Sequence, residues 1–204
     1  MFKLVCVTNR SLCREDFLTR IQQIAQSGVS GIILREKDLS EADYQILAAK
    51  VLTICREYGV PCILHSFVKI AIALDAQAIH LPLPLLRMMT QEQKKQFRTI
   101  GASCHSMEDV LEAQKMGCAY VTLGHIFATD CKKGVPPRGL NLLRDVCRRT
   151  SLPVLAIGGI DKDNIGSVKN AGAGGACIMS GLMACKDVKG DLDILEKAVN
   201  EHEI

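Results

Sequence analysis

Short apolar segments alternate eight times with longer amphipathic ones along the 204-residue chain, and this pattern predicts an α/β fold of eight βα repeats. The apolar segments lack an in/out alternation of polarity, which is typical of parallel strands covered on both faces. Eight is also the number of parallel strands that closes into a barrel without an edge. We therefore expect a small (β/α)8 TIM barrel, formed as one domain by residues 1–204. The predicted strands are Leu4–Thr8, Gly31–Arg35, Cys62–His65, Ala78–Leu81, Thr99–Ser103, Tyr120–Gly124, Val154–Ile157 and Ala176–Met179.

Helix start signals lie between these strands. Ser40 with Asp43 three residues later predicts the start of the second helix, and the same spacing recurs in Thr90 with Gln93 and in Ser106 with Asp109. The rival architecture is an open doubly wound sheet. Its usual G-x-G-x-x-G signature is absent after the first strand, which favours the barrel.

Composition limits the classes of partner. The formal net charge is +3, and lysine and arginine are spread along the chain, so no nucleic-acid partner is expected. The ten cysteines occur singly, without the paired spacing of metal-ligand or redox motifs, which favours free thiols and a cytoplasmic protein. No apolar stretch reaches about 18 residues, and the N-terminus is too short for a secretory segment, so no membrane association is expected. The sequence leaves the oligomeric state open and is compatible with a homo-oligomer.

Residues 124–134, Gly-His-Ile-Phe-Ala-Thr-Asp-Cys-Lys-Lys-Gly, form the predicted active-site loop after the sixth strand. In a TIM barrel the residues that follow each strand build the site. His125 is the candidate catalyst, because an imidazole can take and return a proton near neutral pH. Cys131 lacks an assured base, so a packing or binding role is favoured over a nucleophilic one. Lys133 is expected to be solvated surface.

Two small-residue pairs, Gly158-Gly159 and Ser180-Gly181, follow the last two strands, where barrels usually bind phosphate. The first pair is expected to open a helix capped by Asp161 or Asp163, with tight turns as the alternative explanation. A small phosphate-bearing molecule is therefore the expected partner. The substrate-binding candidates at other strand ends are Arg35, Lys37, His65, Ser103 and Lys132, whose cations suit an anionic ligand.

Three other histidines are expected to be structural and not functional: His80 inside a strand, His105 near a helix cap and His202 near the C-terminus. No carboxylate follows the third strand, where Ser66 stands, or the fourth, where residues 81–85 are apolar. A magnesium site built from such carboxylates is not available, and neither a metal nor a cofactor is expected.

The chain resembles the thiamine phosphate synthase/TenI family over essentially its whole length. The resemblance lies in residues 34–37 (LREK), 101–106 (GASCHS), 120–124 (YVTLG), 157–160 (IGGI) and 179–181 (MSG). The resemblance implies a TIM-barrel protein that acts in thiamine biosynthesis. The synthase branch holds magnesium with two aspartates, whereas Ser66 and Leu85 stand at the matching positions here. Its pyrimidine-contacting Asn and Gln are replaced by His65 and Ile33.

The loop of residues 124–134 is most similar to the TenI branch, a thiazole tautomerase, which has His where the synthase has Pro. The resemblance implies that His125 is the acid/base residue, that Lys132 is the loop lysine, and that Gly158, Gly159, Ser180 and Gly181 contact phosphate. The reaction it implies converts the exocyclic-alkylidene form of a carboxythiazole phosphate to the aromatic form. Two alternatives stay open: a magnesium-dependent thiamine phosphate synthase, and a non-catalytic regulator that binds a ligand of the pathway.

Overall fold

The computed structural model describes residues 1–129 and 132–201 and confirms the predicted fold. Eight parallel strands pair in chain order and close between β8 and β1, which makes a (β/α)8 barrel. Asp130 and the two residues with predicted roles, Cys131 and His202, lie outside the described residues. The strands are β1 (Lys3–Val7), β2 (Gly31–Leu34), β3 (Cys62–His65), β4 (Ala78–Pro82), β5 (Thr99–Cys104), β6 (Tyr120–Gly124), β7 (Val154–Ile157) and β8 (Gly175–Ile178).

Helices connect successive strands and cover the outside of the barrel. A 3₁₀ turn (Arg10–Leu12) precedes the first α-helix. The helices are α1 (Phe17–Ser27), α2 (Glu41–Glu57), α3 (Val68–Ala73), α4 (Leu83–Arg87), α5 (Gln91–Lys94), α6 (Met107–Lys115), α7 (Gly139–Arg149), α8 (Ile165–Asn170), α9 (Ser180–Met183) and α10 (Val188–Asn200). None of the helices in the described part of the chain is long and apolar enough to span a bilayer.

Side chains alternate between two cores, because successive residues of a strand point to opposite faces. In β1, Leu4 and Cys6 pack under the surrounding helices, while Val5 and Val7 join the cluster inside the barrel. Five buried residues of other strands belong to the same interior cluster: Ile33, Ile63, Tyr120, Leu155 and Cys177. Burial on both faces explains why these strands read as continuous apolar runs in the sequence.

The predicted start signals cap three helices. The side-chain oxygens of Ser40, Thr90 and Ser106 each accept a hydrogen bond from the backbone N–H three residues later, and Thr90 with Gln93 completes a capping box. We predicted a helix directly after Gly159, and this prediction is wrong. There, Asp161 and Asn164 close a separate turn, in which Asn164 Oδ1 accepts from the Asp161 N–H at 3.0 Å, and α8 begins only at Ile165.

Candidate active site

A cavity of about 450 Å³ opens at the carboxyl ends of the strands. All ten residues predicted from the sequence to take part in catalysis or binding line this cavity. Other residues, which were not predicted, line it as well. The ten are Arg35, Lys37, His65, Ser103, His125, Lys132, Gly158, Gly159, Ser180 and Gly181.

The alternation of side chains along each strand aims these groups into the barrel. Residues two positions after an interior apolar residue share its direction. Ile33 and Ile63 belong to the interior cluster, so Arg35 and His65 point to the mouth above it. The barrel interior is therefore apolar toward the amino ends of the strands and polar at the cavity.

His125 follows β6 directly and is held by hydrogen bonds on both its ring and its backbone. Its Nε2 lies 3.1 Å from the carbonyl oxygen of Val135, and its own carbonyl accepts from the Arg138 N–H at 2.9 Å. Because a carbonyl only accepts, Nε2 carries the proton in the neutral ring. Nδ1 then keeps its lone pair, and within the described residues no group hydrogen-bonds to it. A ring that lines the cavity with a free basic nitrogen can act as a proton acceptor.

The β7 turn packs closely under this histidine. Gly158 and Gly159 have φ values of +100° and +65°, a region that disfavours residues with a side chain. A Cβ on Gly158 would collide with the Cβ of His125, and one on Gly159 would collide with the carbonyl oxygen of Ala128. Both glycines are therefore required by backbone conformation and by space.

Unpaired amide groups line the cavity at the ends of β7 and β8. The backbone N–H groups of Gly159, Ser180 and Gly181 donate to no acceptor among the described residues. Such N–H groups, brought together by small residues, can bind an anion. This is the geometry expected of a phosphate subsite.

Three cations line the same cavity. Arg35 and Lys37 follow β2, and Lys132 lies in the loop after β6. Burial, followed by the nearby charges of Arg35 and Lys132, lowers the pKa of Lys37. Among the residues that the structure describes, no carboxylate lines the cavity to offset these like charges, which favours an anionic ligand that would relieve their repulsion.

Glu36 lies between the two cations in sequence but points away from the cavity. Its carboxylate is buried and accepts from the Thr8 hydroxyl at 2.6 Å and from the Arg10 N–H at 3.1 Å. The Thr8 hydroxyl in turn accepts from the Arg35 N–H at 2.9 Å. The buried carboxylate thus anchors the backbone that presents Arg35 and Lys37.

Replacing Glu36 by glutamine is expected to lower the free energy of unfolding by about 2 kcal/mol, because charge-assisted hydrogen bonds to a buried carboxylate are lost. Asp38→Asn is the control, since Asp38 pairs with the same Arg10 but is exposed. Urea unfolding of both variants checks the expectation, and equal losses in the two would contradict it.

A pair of neutral imidazoles forms the floor of the cavity. His65 and His80 are paired in register on β3 and β4, and their ring centroids lie 5.8 Å apart. His80 is held between the Tyr120 hydroxyl at 3.0 Å and the Ser103 hydroxyl at 2.9 Å. Burial lowers the pKa of His65 to about 2 and that of His80 to about 3. Both rings therefore stay neutral at physiological pH.

His80, which we expected to be structural, also lines the cavity, as do Asn9, His105, Thr122 and Thr129. A signal for His80 and Thr122 was present in the sequence. Each lies two residues after an inward-facing position, Ala78 or Tyr120. Strands buried on both faces conceal that alternation, because apolar side chains occupy inward and outward positions alike.

The neutral His65–His80 pair is expected to make the folded protein less stable in acid. Below about pH 6.5 the unfolded chain protonates these histidines while the folded chain does not, so stability falls as pH falls from about 6.5 to about 3. Each ring contributes a slope of up to about 1.4 kcal/mol per pH unit. Urea unfolding at several pH values measures this slope, and His80→Asn should reduce it. A slope unchanged by that substitution would contradict the assignment.

Magnesium is a poor fit to the cavity lining. Magnesium in proteins is bound mainly through carboxylates and phosphates. Among residues 1–129 and 132–201 no carboxylate lines the cavity, and no cluster of three His, Cys, Asp or Glu side chains with metal-binding geometry occurs. Ser66 and Leu85 line a different depression, where Phe67 and Met88 also lie.

The fold and the cavity define a (β/α)8-barrel protein whose histidine-lined, cationic site lies at the carboxyl ends of the strands. Residues 4–182 match the family described as thiamine monophosphate synthase (TMP-TENI). The chain belongs to this family.

Similar proteins carry the synthase name. A protein of Syntrophomonas wolfei named thiamine-phosphate synthase is 35% identical over 93% of this chain and 92% of its own length. One of Clostridium acetobutylicum with the same name is 31% identical over 92% of this chain and 90% of its own length. The solved structure of a thiamine phosphate pyrophosphorylase from Pyrococcus furiosus is 29% identical, with a TM-score of 0.85 over 100% of this chain and 98% of that one.

Proposed function

We propose that this chain is a thiazole tautomerase of thiamine biosynthesis, which converts the exocyclic-alkylidene form of a carboxythiazole phosphate to the aromatic form. The observation that carries the proposal is the position of His125, which lines the cavity with its Nδ1 lone pair free. The loop around it, residues 124–134, resembles the TenI branch of the family.

The proposed reaction moves one proton and needs no electron acceptor. His125 Nδ1 takes the proton from ring carbon C2, which carries the carboxylate, and the C2–H bond breaks. The electron pair forms the aromatic ring, and the exocyclic carbon receives a proton from the imidazolium. The catalyst ends in its starting state. A base that becomes an acid within one turnover is the role for which histidine is suited.

Two anion-binding subsites would fix the substrate in the cavity. The unpaired N–H groups of Gly159, Ser180 and Gly181 suit the phosphate. Arg35, Lys37 and Lys132 suit the carboxylate. A ligand held at both ends presents its ring to the histidine in one orientation, which reduces the entropy lost on reaching the transition state.

A second candidate is thiamine-phosphate synthase, and the names of the relatives favour it. Such an enzyme couples a pyrimidine pyrophosphate with thiazole phosphate in the presence of magnesium. The cavity lining argues against this candidate, because it lacks carboxylates in the described part of the chain. The two candidates differ in substrate and in metal requirement.

The two reactions can be assayed on the same preparation. Incubation with the alkylidene isomer should produce the absorbance of the aromatic thiazole at the same rate with and without a chelator. Incubation with the pyrimidine pyrophosphate, thiazole phosphate and magnesium should yield no thiamine phosphate. Loss of isomerisation in chelator, or formation of thiamine phosphate, would replace the proposal with the synthase.

A further inference from the structure

His105 follows β5 and contacts β6, the strand that His125 directly follows. Its Nδ1 lies 2.6 Å from the carbonyl oxygen of Gly124, the last residue of β6. The Gly124 carbonyl belongs to the peptide whose nitrogen is that of His125. Within the described residues no other side chain hydrogen-bonds to the backbone of residues 124–126.

The His105 side chain is itself held in place from its backbone. The His105 N–H donates to Asp109 Oδ2 at 2.7 Å, and the Asp109 N–H donates to the Ser106 hydroxyl at 3.2 Å. Asp109 is in the first turn of α6, so the start of that helix anchors the imidazole. A side chain fixed at its base loses less entropy when its ring makes a hydrogen bond.

The opposite side of the Gly124–His125 segment is closed by β7. A Cβ on Gly124 would collide with the carbonyl oxygen of Ile157, and the Ile126 N–H donates to that oxygen at 2.9 Å. Gly158 contacts His125 closely from the same side. The segment therefore lies between a backbone wall at β7 and a single side-chain donor at His105.

We propose that His105 is a positioning residue, which orients the His125 imidazole through a hydrogen bond from its Nδ1–H to the Gly124 carbonyl. Because the carbonyl only accepts, this bond requires the proton on Nδ1 of His105. It holds the peptide that precedes His125, so that Nε2 of His125 reaches the Val135 carbonyl and Nδ1 stays free. Two neighbouring histidines are thus held in defined tautomers by backbone carbonyls.

The first test uses variants that keep or remove the donor. His105→Asn keeps an N–H close to the position of Nδ1, whereas His105→Phe keeps a ring and has no donor. If the chain isomerises the thiazole as proposed above, H105F should lower kcat about 10- to 100-fold. Its KM should stay within about 2-fold of the parent value, because the anion-binding groups are unchanged. H105N should recover most of kcat. H105F with the parent kcat, or H105N as slow as H105F, overturns the proposal.

The second test does not need activity. Proton–nitrogen correlation spectra of 15N-histidine-labelled protein report which ring nitrogen of His125 carries the proton. The parent and H105N should show the Nε2–H tautomer alone, and H105F should show a mixture. Identical His125 signals in all three proteins overturn the proposal, whereas absence of isomerisation in the parent with the expected spectra refutes only the proposed function.

Thr90→Ala is the control for lost stability. It removes the cap of a different helix, α5, and leaves the hydrogen bond between the His105 N–H and Asp109 in place. It should lower Tm without changing kcat or the His125 tautomer, and a loss of kcat as large as that of H105F would attribute the effect to a general loss of stability. His105→Leu, whose side chain has no hydrogen-bond donor, repeats the donor-free comparison if H105F does not fold.

Discussion

Replacing His125 by glutamine is expected to lower kcat for thiazole isomerisation by about 10²- to 10⁴-fold, the usual contribution of a positioned acid/base group. Glutamine places an amide N–H close to the position of Nε2 and can therefore keep the bond to the Val135 carbonyl. It has no basic nitrogen in place of Nδ1. The variant thus removes proton transfer while it preserves the local structure, and steady-state kinetics with the alkylidene isomer measures the loss.

Binding separates this outcome from the alternative of a non-catalytic regulator. The phosphate and carboxylate subsites do not include His125, so the Kd of the aromatic product, measured by calorimetry, should change by less than about 5-fold. His125→Gln with unchanged isomerisation and unchanged Kd would remove His125 from the mechanism. Product binding by a parent protein that has no isomerisation activity would support a regulator.

Replacing Gly158 by alanine is expected to give the second-largest loss, a fall in kcat of about 10²-fold, since a displacement near 1 Å of a catalytic group has that cost. The new Cβ would collide with the Cβ of His125 and push the ring from its position. The φ of +100° adds backbone strain, and together with overpacking the free energy of unfolding should fall by about 2–6 kcal/mol.

Gly28→Ala is the matched control for backbone strain. Gly28 has the same φ of +100°, ends α1, and has no atom within 4 Å of the position where a Cβ would stand. It should lose about 1–3 kcal/mol from strain alone and keep the parent kcat. Equal kcat values for G158A and G28A would show that contact between Gly158 and His125 does not position the imidazole.

The sequence predicted the site residues at the ends of strands but not those inside strands. Arg35 ends a predicted strand and His125 directly follows one. The carboxyl ends of parallel barrel strands meet on one face, so the place of both residues in a common cavity followed from their order along the chain. His80 and Thr122 lie inside strands, where apolar neighbours on both faces hide which residues point inward. The names of relatives at 31% and 35% identity favour the synthase, so family membership does not support the proposed isomerase over it.

The sequence by itself determined the (β/α)8 barrel and the caps at Ser40, Thr90 and Ser106, because both depend on local periodicity and on hydrogen bonds between residues a few positions apart. Only the tertiary structure decided that Glu36 turns away from the cavity, that His65 and His80 stack as neutral rings, and that His105 holds the peptide before His125. These depend on strand register and on burial, which bring together groups about 15 to 28 residues apart in the chain. Local patterns carry no information about such contacts.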